Sequence, residues 1–270
     1  MSENKPLKLY FDIKLAEYLS NEILKVYKKF NKNSFISIIS DKINELELKD
    51  RNILFANSLT QFLTGSYKKD IEILHNILGP ENPNETGMFN NYFHIWPIGT
   101  YIEINGFKNI DISLNFIEEL TKRFTGEFAV RNLIMIDPDK CLKYFNKWSM
   151  SSNFHLRRLS SEGLRPKLPW AKKLDLYIDN PQPVFNILNN MKQDKIKFVQ
   201  KSIANNINDY LKLNEKEAFK LLNNWAEIED KNTFWILKHA LRNYRKNKIQ
   251  RGLSILSKSA KVNNIEINKY

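Results

Sequence analysis

Three segments of the chain match one another: YFNKWSMSSNFHLRRLSSEG at 144–163, ILNNMKQDKIKFVQKSIANN at 187–206 and LLNNWAEIEDKNTFWILKHAL at 221–241. Each closes one helical pattern on a large side chain (Trp148, Met191, Trp225), crosses a short polar loop and starts a second helical pattern. The large residues are 43 and 34 positions apart. A single helix pair cannot bury its own apolar face, so neighbouring pairs must stack. Pairs repeating at about 40 residues are the mark of HEAT- or armadillo-like arrays. The pattern predicts an all-α fold, an α-solenoid of HEAT-like helical repeats whose curvature offers a concave side to a long ligand. Composition agrees, since 8 Gly and 9 Pro in 270 residues are too few for the many turns of a β-rich chain.

Apolar spacing extends the helical reading along the chain. Leu15, Leu19, Ile23, Val26, Tyr27 and Phe30 form one stripe over 12–30, with Asp12 as N-cap. Further helices are predicted at 33–46, 50–64, 67–78, 111–123, 126–136, 138–149, 153–162, 169–178, 182–192, 195–211, 214–227 and 231–246. GPENPNETG at 79–87 is a loop by its breakers. MFNNYFHIWPIGTYIEI, from 88, reads as a buried helix broken or kinked at Pro97, with a strand as the alternative. The polar stretch 248–270 reads as a loosely held basic tail. On this reading residues 1–247 are one HEAT-like-repeat domain, with 1–125 mostly neutral scaffold and 126–247 the functional repeats.

The charge is unevenly placed. Residues 1–150 hold 19 Lys and Arg against 19 Asp and Glu, whereas 151–270 hold 23 against 11, so the whole excess of +12 lies in the second part. A solvated lysine-rich surface would account for this in a chain so rich in Asn and Lys. Taken with the repeat, the split points instead to a basic concave surface for a polyanion. The single cysteine, Cys141, lies on an apolar helix side and permits no disulfide within the chain, which fits a reducing compartment. No apolar run reaches the roughly 18 residues of a membrane span and no signal peptide is evident, so a cytoplasmic protein is expected. His75, His94, His155 and His239 are scattered away from any metal-ligand spacing, and no glycine-rich phosphate loop or nucleophile elbow occurs, so neither metal nor cofactor is expected.

The densest chemistry lies in HLRRLSSEGLRPKLPW at 155–170. Leu156 and Leu159 face inward, leaving Arg157 and Arg158 on the other side. Gly163 can end the helix in a left-handed conformation, and Arg165 before Pro166 is extended. Cations near a helix C-terminus and an Arg158–Glu162 pair at i,i+4 are ordinary structural devices, but three arginines beside Trp170 suit a phosphate site. Trp170 starts the next predicted helix, where it either packs within the repeat or offers its π face to a base or sugar. In QKSIANNINDY, Ile196, Val199, Ile203 and Ile207 form the buried stripe. Ser202, Asn205, Asn206 and Asp209 share the opposite side. Asp209 sits in the last turn, against the helix dipole. It is either paired with a surface lysine or functional. Glu127 opens a helix, where a carboxylate is common capping chemistry.

EFAVRNLIMIDPDKCLKYFNKW, HLRRLSSEGLRPKLPWA, SIANNINDY and WILKHALR resemble, in order and spacing, the AlkC family of bacterial 3-methyladenine DNA glycosylases. That family belongs to the HEAT-like-repeat alkylation-repair superfamily, with AlkD as its sister family. The resemblance runs over about 5–247 and is strongest over 126–246. Some members carry a C-terminal immunoglobulin-like domain, which is not expected here, where only the polar stretch 248–270 follows. The resemblance implies a monofunctional glycosylase acting as a monomer on double-stranded alkylated DNA, in the cytoplasm and at the nucleoid during repair. Asp209 is implied as the principal catalytic carboxylate, Glu127 as the second and Trp170 as the residue facing the lesion. Arg158 is implied to hold flanking phosphates, with Arg157, Arg165, Lys201, Lys238 and Arg242 as weaker candidates for backbone contacts. Lesion selectivity would come from the lability and charge of the base rather than from a deep flipping pocket. A non-catalytic repeat protein that binds bent or branched DNA, and a protein-interaction scaffold, are the competing readings.

Overall fold

The computed structural model describes residues 6–86 and 92–266. The start of the aromatic stretch at 88, the last residue of the predicted 79–87 loop and the last four residues of the chain lie outside these. Among the described residues every regular element is helical. The chain divides into two compact units, Met1–Pro138 and Asp139–Tyr270, where the sequence pattern had suggested one domain with a change of role near residue 125. Charge follows the units, with 16 Lys and Arg against 18 Asp and Glu up to residue 138, and 26 against 12 beyond it.

The first unit contains α1 (Ile13–Val26), α2 (Lys32–Lys42), α3 (Leu48–Phe62), α4 (Tyr67–Asn76), α5 (Trp96–Asn105), α6 (Ile110–Thr121) and α7 (Ala129–Ile136). Asp12 caps α1 as its sequence suggested, accepting from the Leu15 amide at 3.1 Å. α5 is mostly apolar and is buried on every side except at Glu103 and Ile104, which are half-buried. Pro97 is its second residue, where the missing N–H would have had no intrahelical partner, so the helix is neither broken nor kinked there. Phe11, Phe35, Phe55, Leu59, Tyr101 and Ile117 are fully buried in this unit.

The second unit is built as the repeat predicts. Its helices are α8 (Pro138–Ser149), α9 (Phe154–Glu162), α10 (Gln182–Asn190), α11 (Lys197–Leu213), α12 (Glu215–Trp225), α13 (Lys231–Ala240), α14 (Arg242–Lys246) and α15 (Gln250–Val262). α11 packs between α9 and α13, and these second members of each pair form one layer. Trp148, Met191 and Trp225 are all buried, each at the end of the first member of its pair. Polar ties repeat at the same spacing. Asn190 Nδ2 donates to Ser149 Oγ at 2.8 Å and to Asn146 Oδ1 at 3.0 Å, and Trp225 Nε1 donates to Asn189 Oδ1 at 2.7 Å. Cys141 is buried.

Three expectations are corrected. The predicted helix over 169–178 does not form. Residues 163–181 are turns and extended chain, because Pro166 and Pro169 remove donors and restrict the residues before them. Gly163 is not left-handed, with φ −64° and ψ −25°. Its glycine is required by a close approach instead, since a Cβ there would lie 2.9 Å from Cε1 of the buried Phe145. The stretch from 248 is not a loose tail. It contains α15, which packs on α12, α13 and α14 and buries Ile255, Leu256 and Ala260. Arg251, Ser254, Lys258 and Lys261 occupy the outer face of an amphipathic helix, and that polar face masks the inner one.

Gly163→Ala should lower unfolding free energy by about 1–3 kcal/mol, the usual cost of overpacking. Leu256→Ala should lower it by about 2–5 kcal/mol, whereas a loose tail would show no change. Urea denaturation of both variants, with an unchanged m-value, measures these effects.

Candidate active site

Two buried carboxylates on adjacent inner helices share one guanidinium. Arg165 lies just after α9, where the chain leaves the helix through Gly163 and Leu164. Its Nη1 donates to Glu162 Oε1 at 2.7 Å. Its Nε donates to Asp209 Oδ2 at 2.9 Å, and its Nη2 to Asp209 Oδ1 at 3.4 Å. Glu162 ends α9 and Asp209 lies one turn before the end of α11, so Arg165 joins two repeats. Glu162 has further donors. Ser202 Oγ donates to its Oε2 at 2.6 Å, and Arg158 lies 3.7 Å from its Oε1. Asn206 Nδ2 donates to the Ser161 carbonyl at 2.7 Å, fixing the same junction.

Burial sets the electrostatics. Burial alone would raise the Glu162 carboxyl, but Arg158, Arg165 and the Ser202 hydroxyl outweigh it and hold the group below the ordinary glutamate range. Asp209 shifts the other way. Burial pushes its carboxyl up, Arg165 pulls it down, Glu162 pushes it up again and Lys212 draws it down, leaving it above the ordinary aspartate value. The Arg165 guanidinium is held above its usual value by its two carboxylates despite its own burial. Ionised Glu162 thus stabilises the fold above the unfolded-state pKa of glutamate, an effect lost as pH falls through its lower folded value. Asp209 has the opposite sign, so its ionised form is carried at a cost in stability.

Trp170 lies five residues beyond Arg165, in a pinned loop. The Leu174 amide donates to the Pro166 carbonyl at 3.0 Å, and Leu168 and Leu174 are buried on either side of the exposed indole. The far end of the loop is fastened to α11 by Tyr210, whose hydroxyl donates to the Tyr177 carbonyl at 3.2 Å, and by Asn214, whose side chain donates to the Ile178 carbonyl at 2.9 Å. Asp209 directly precedes Tyr210 in α11. Trp170 has φ +64°, a left-handed conformation that costs a residue with a Cβ roughly 1–2 kcal/mol. Strain of this kind collects at functional positions.

Cations and aromatic rings border this junction. Arg242, at the start of α14, donates to Asn205 Oδ1 at 3.1 Å and is within electrostatic reach of Arg165 and Asp209. Burial lowers the pKa of His239, and Arg242, Lys201 and Arg245 lower it further. Burial lowers Lys238 too, aided by Arg245. His239 stacks on Trp235 with ring centroids 5.1 Å apart, and Lys197 Nζ lies 4.2 Å from the same indole. Arg158 also lies over Phe198, 5.1 Å from its centroid. Among the described residues no group of His, Cys, Asp and Glu could hold a metal ion, and no helix is long and apolar enough to cross a membrane.

The sequence-predicted residues divide into several environments. Arg158, Arg165 and Asp209 come together with Arg242 within reach, and Lys201 and Lys238 lie in the adjoining cationic group. Arg157 does not join them. Its Nε and Nη2 donate to Asp194 at 2.6 and 3.3 Å, and its Nη1 to the Ser151 and Ser152 carbonyls. It therefore clamps the α8–α9 loop to the α10–α11 loop. Arg165 is likewise turned inward onto carboxylates. Glu127 belongs to the first unit. It does not open a helix but sits in the turn before α7, buried, with Thr125 Oγ1 donating to its Oε2 at 2.9 Å. Glu162, read from the sequence only as an i,i+4 partner of Arg158, proves to be the centre of the network. The repeat spacing contains the missing signal, because Glu162 and Ser202 are 40 positions apart and Arg165 and Asp209 are 44 apart.

A family profile described as "DNA alkylation repair enzyme" matches residues 113–244, from α6 into α14 and across Glu127, Trp170 and Asp209. A relative in Bacillus subtilis (strain 168), the uncharacterized protein YhaZ, is 32% identical over 250 residues, covering 92% of this chain and 67% of its own. The solved structure of Pseudomonas fluorescens alkylpurine DNA glycosylase AlkC, bound to DNA containing an abasic site analog, superposes with a TM-score of 0.84 at 27% identity, over 94% of this chain and 68% of that one. The helical-repeat architecture, the profile and these likenesses agree: the chain belongs to the DNA alkylation repair enzyme family and is of the AlkC type.

Proposed function

We propose that the protein is a monofunctional DNA glycosylase that hydrolyses the N-glycosidic bond of cationic N3-methylated purines, 3-methyladenine above all, in double-stranded alkylated DNA. The observation that carries this reading is the buried Asp209 carboxylate, fixed by Arg165 among cationic side chains and next in its helix to Tyr210, which ties the Trp170 loop down. A purine methylated at N3 already bears positive charge, so it leaves without being protonated. The demand falls on the sugar, which becomes oxocarbenium-like as the bond lengthens. A preorganised carboxylate stabilises that charge and orients or deprotonates the attacking water.

Trp170 would lie against the lesion's deoxyribose or base, with cation–π attraction available to the methylated ring. Arg158, Lys201, Lys238 and Arg242 would hold phosphates, giving affinity rather than sequence reading. Arg157 and Arg165 act through other residues. On this reading the protein works in the cytoplasm, at the nucleoid during repair, on duplex DNA.

Asp209→Asn should lower the single-turnover release of 3-methyladenine from alkylated DNA by about a hundredfold or more, the usual effect of losing one preorganised electrostatic group. Wild-type release matched by the variant would end the mechanism. Absence of release by wild type, with DNA still bound, would favour a non-catalytic protein that binds bent or branched DNA. Lys201→Ala should weaken binding and reduce the slope of log affinity against log salt by about one, while the rate at saturating DNA stays the same. Fluorescence anisotropy from 50 to 200 mM salt measures it.

A further inference from the structure

We propose that Glu162 is a positioning residue for this reaction: by sharing the Arg165 guanidinium with Asp209, it fixes the guanidinium and keeps the Asp209 carboxylate a usable proton acceptor. The inference rests on the glycosylase reading and concerns a residue to which that reading gives no role.

A carboxylate clamped through both oxygens by an arginine is well ordered but a poor base, since the full positive charge favours the ionised form. Asp209 is clamped in this way, at 2.9 and 3.4 Å. Glu162 changes the balance from the other side of the same guanidinium. It takes the third contact, at 2.7 Å, and its negative charge offsets part of the positive charge Asp209 experiences. Glu162 can do this only while ionised, which its other donors secure. Ser202 bonds its second oxygen at 2.6 Å, and Arg158 stands at 3.7 Å.

The result separates two properties that a lone ion pair ties together. Asp209 is held in one orientation by Arg165, yet retains basicity, through burial first and then because Arg165 is not its alone. Among the described residues, the other charged or titratable groups that bear on Asp209 are Lys212 on its own helix, Tyr210 beside it and Arg242 from α14. Lys212 and Arg242 are cations, which stabilise the carboxylate and cannot restore its basicity. Glu162 is the neighbouring carboxylate placed to do so.

The test compares wild type with Glu162→Gln and Glu162→Asp through two readouts. The first is the pH profile of single-turnover base release. The second is titration of the Asp209 side-chain carboxyl by ¹³C NMR in the DNA-free protein, which needs no activity. With Glu162→Gln, the Asp209 midpoint and the acidic limb of the rate profile should move to lower pH by about one unit, and the plateau rate should fall several-fold as the base weakens. Glu162→Asp, which keeps the charge but withdraws it by one methylene, should shift both in the same direction by less. If the Gln variant does not fold, the Asp variant decides. An unmoved midpoint, even with slower release or a lower Tm, makes Glu162 purely structural and overturns the proposal. Absence of base release by wild type would sink the glycosylase reading, while the carboxyl titration would still report whether Glu162 controls Asp209.

Discussion

Arg165 joins Glu162 at the end of α9 to Asp209 on α11, and the second unit is organised around that junction. Two carboxylates at under one-tenth exposure could not both remain ionised side by side without a cation between them. A hydrophobic replacement would pack at least as stably, so the arrangement is not explained by stability alone. It does fix the register of two neighbouring repeats. A slip of one helix past the other by a turn would separate the guanidinium from one carboxylate and leave a buried charge unpaired. The polar ties on the outer layer, from Asn190 to Ser149 and from Trp225 to Asn189, set the same register through neutral groups.

The same junction shows how a scaffold becomes a site. α11 is buried on nearly every side because it lies between α9 and α13. Any polar residue on it must therefore be paired with a neighbour, and Ser202, Asn206, Asn208 and Asp209 all are. Three of these pairings consist of one donor and one acceptor. Asp209 differs in being a charge, in sharing its partner and in lying next to a loop with an exposed aromatic ring. The cations of α13 and α14 complete a setting in which an anion is wanted from outside and another is already held within.

The fold was legible in the sequence wherever one residue type repeated at a fixed distance. Trp148, Met191 and Trp225 disclosed the helix pairs, and Asp12 disclosed the start of α1. The helix at 250–262 is masked in the sequence because polar and basic residues of its outer face dominate the stretch and obscure the buried face of Ile255, Leu256 and Ala260. The expected helix at 169–178 rests on apolar spacing, which Pro166 and Pro169 outweigh in the fold. Gly163 was identified as a necessary glycine for the wrong reason, since close approach to Phe145 is a tertiary fact absent from local pattern. In the site, Asp209 and Arg165 stood out as residues, but their pairing did not, because partners 44 positions apart are neighbours only once the repeats have stacked. Arg157 looked free for the same reason, with Asp194 lying 37 positions away.

The backbone at Trp170 carries a further consequence. Left-handed geometry leaves a bulky side chain few compatible rotamers, and buried leucines anchor the chain on both sides of it. An indole mounted this way has surrendered much of its swivel before any ligand arrives. A flat partner laid against it would meet a surface already set at its working angle, and would forfeit little binding energy to freezing the ring.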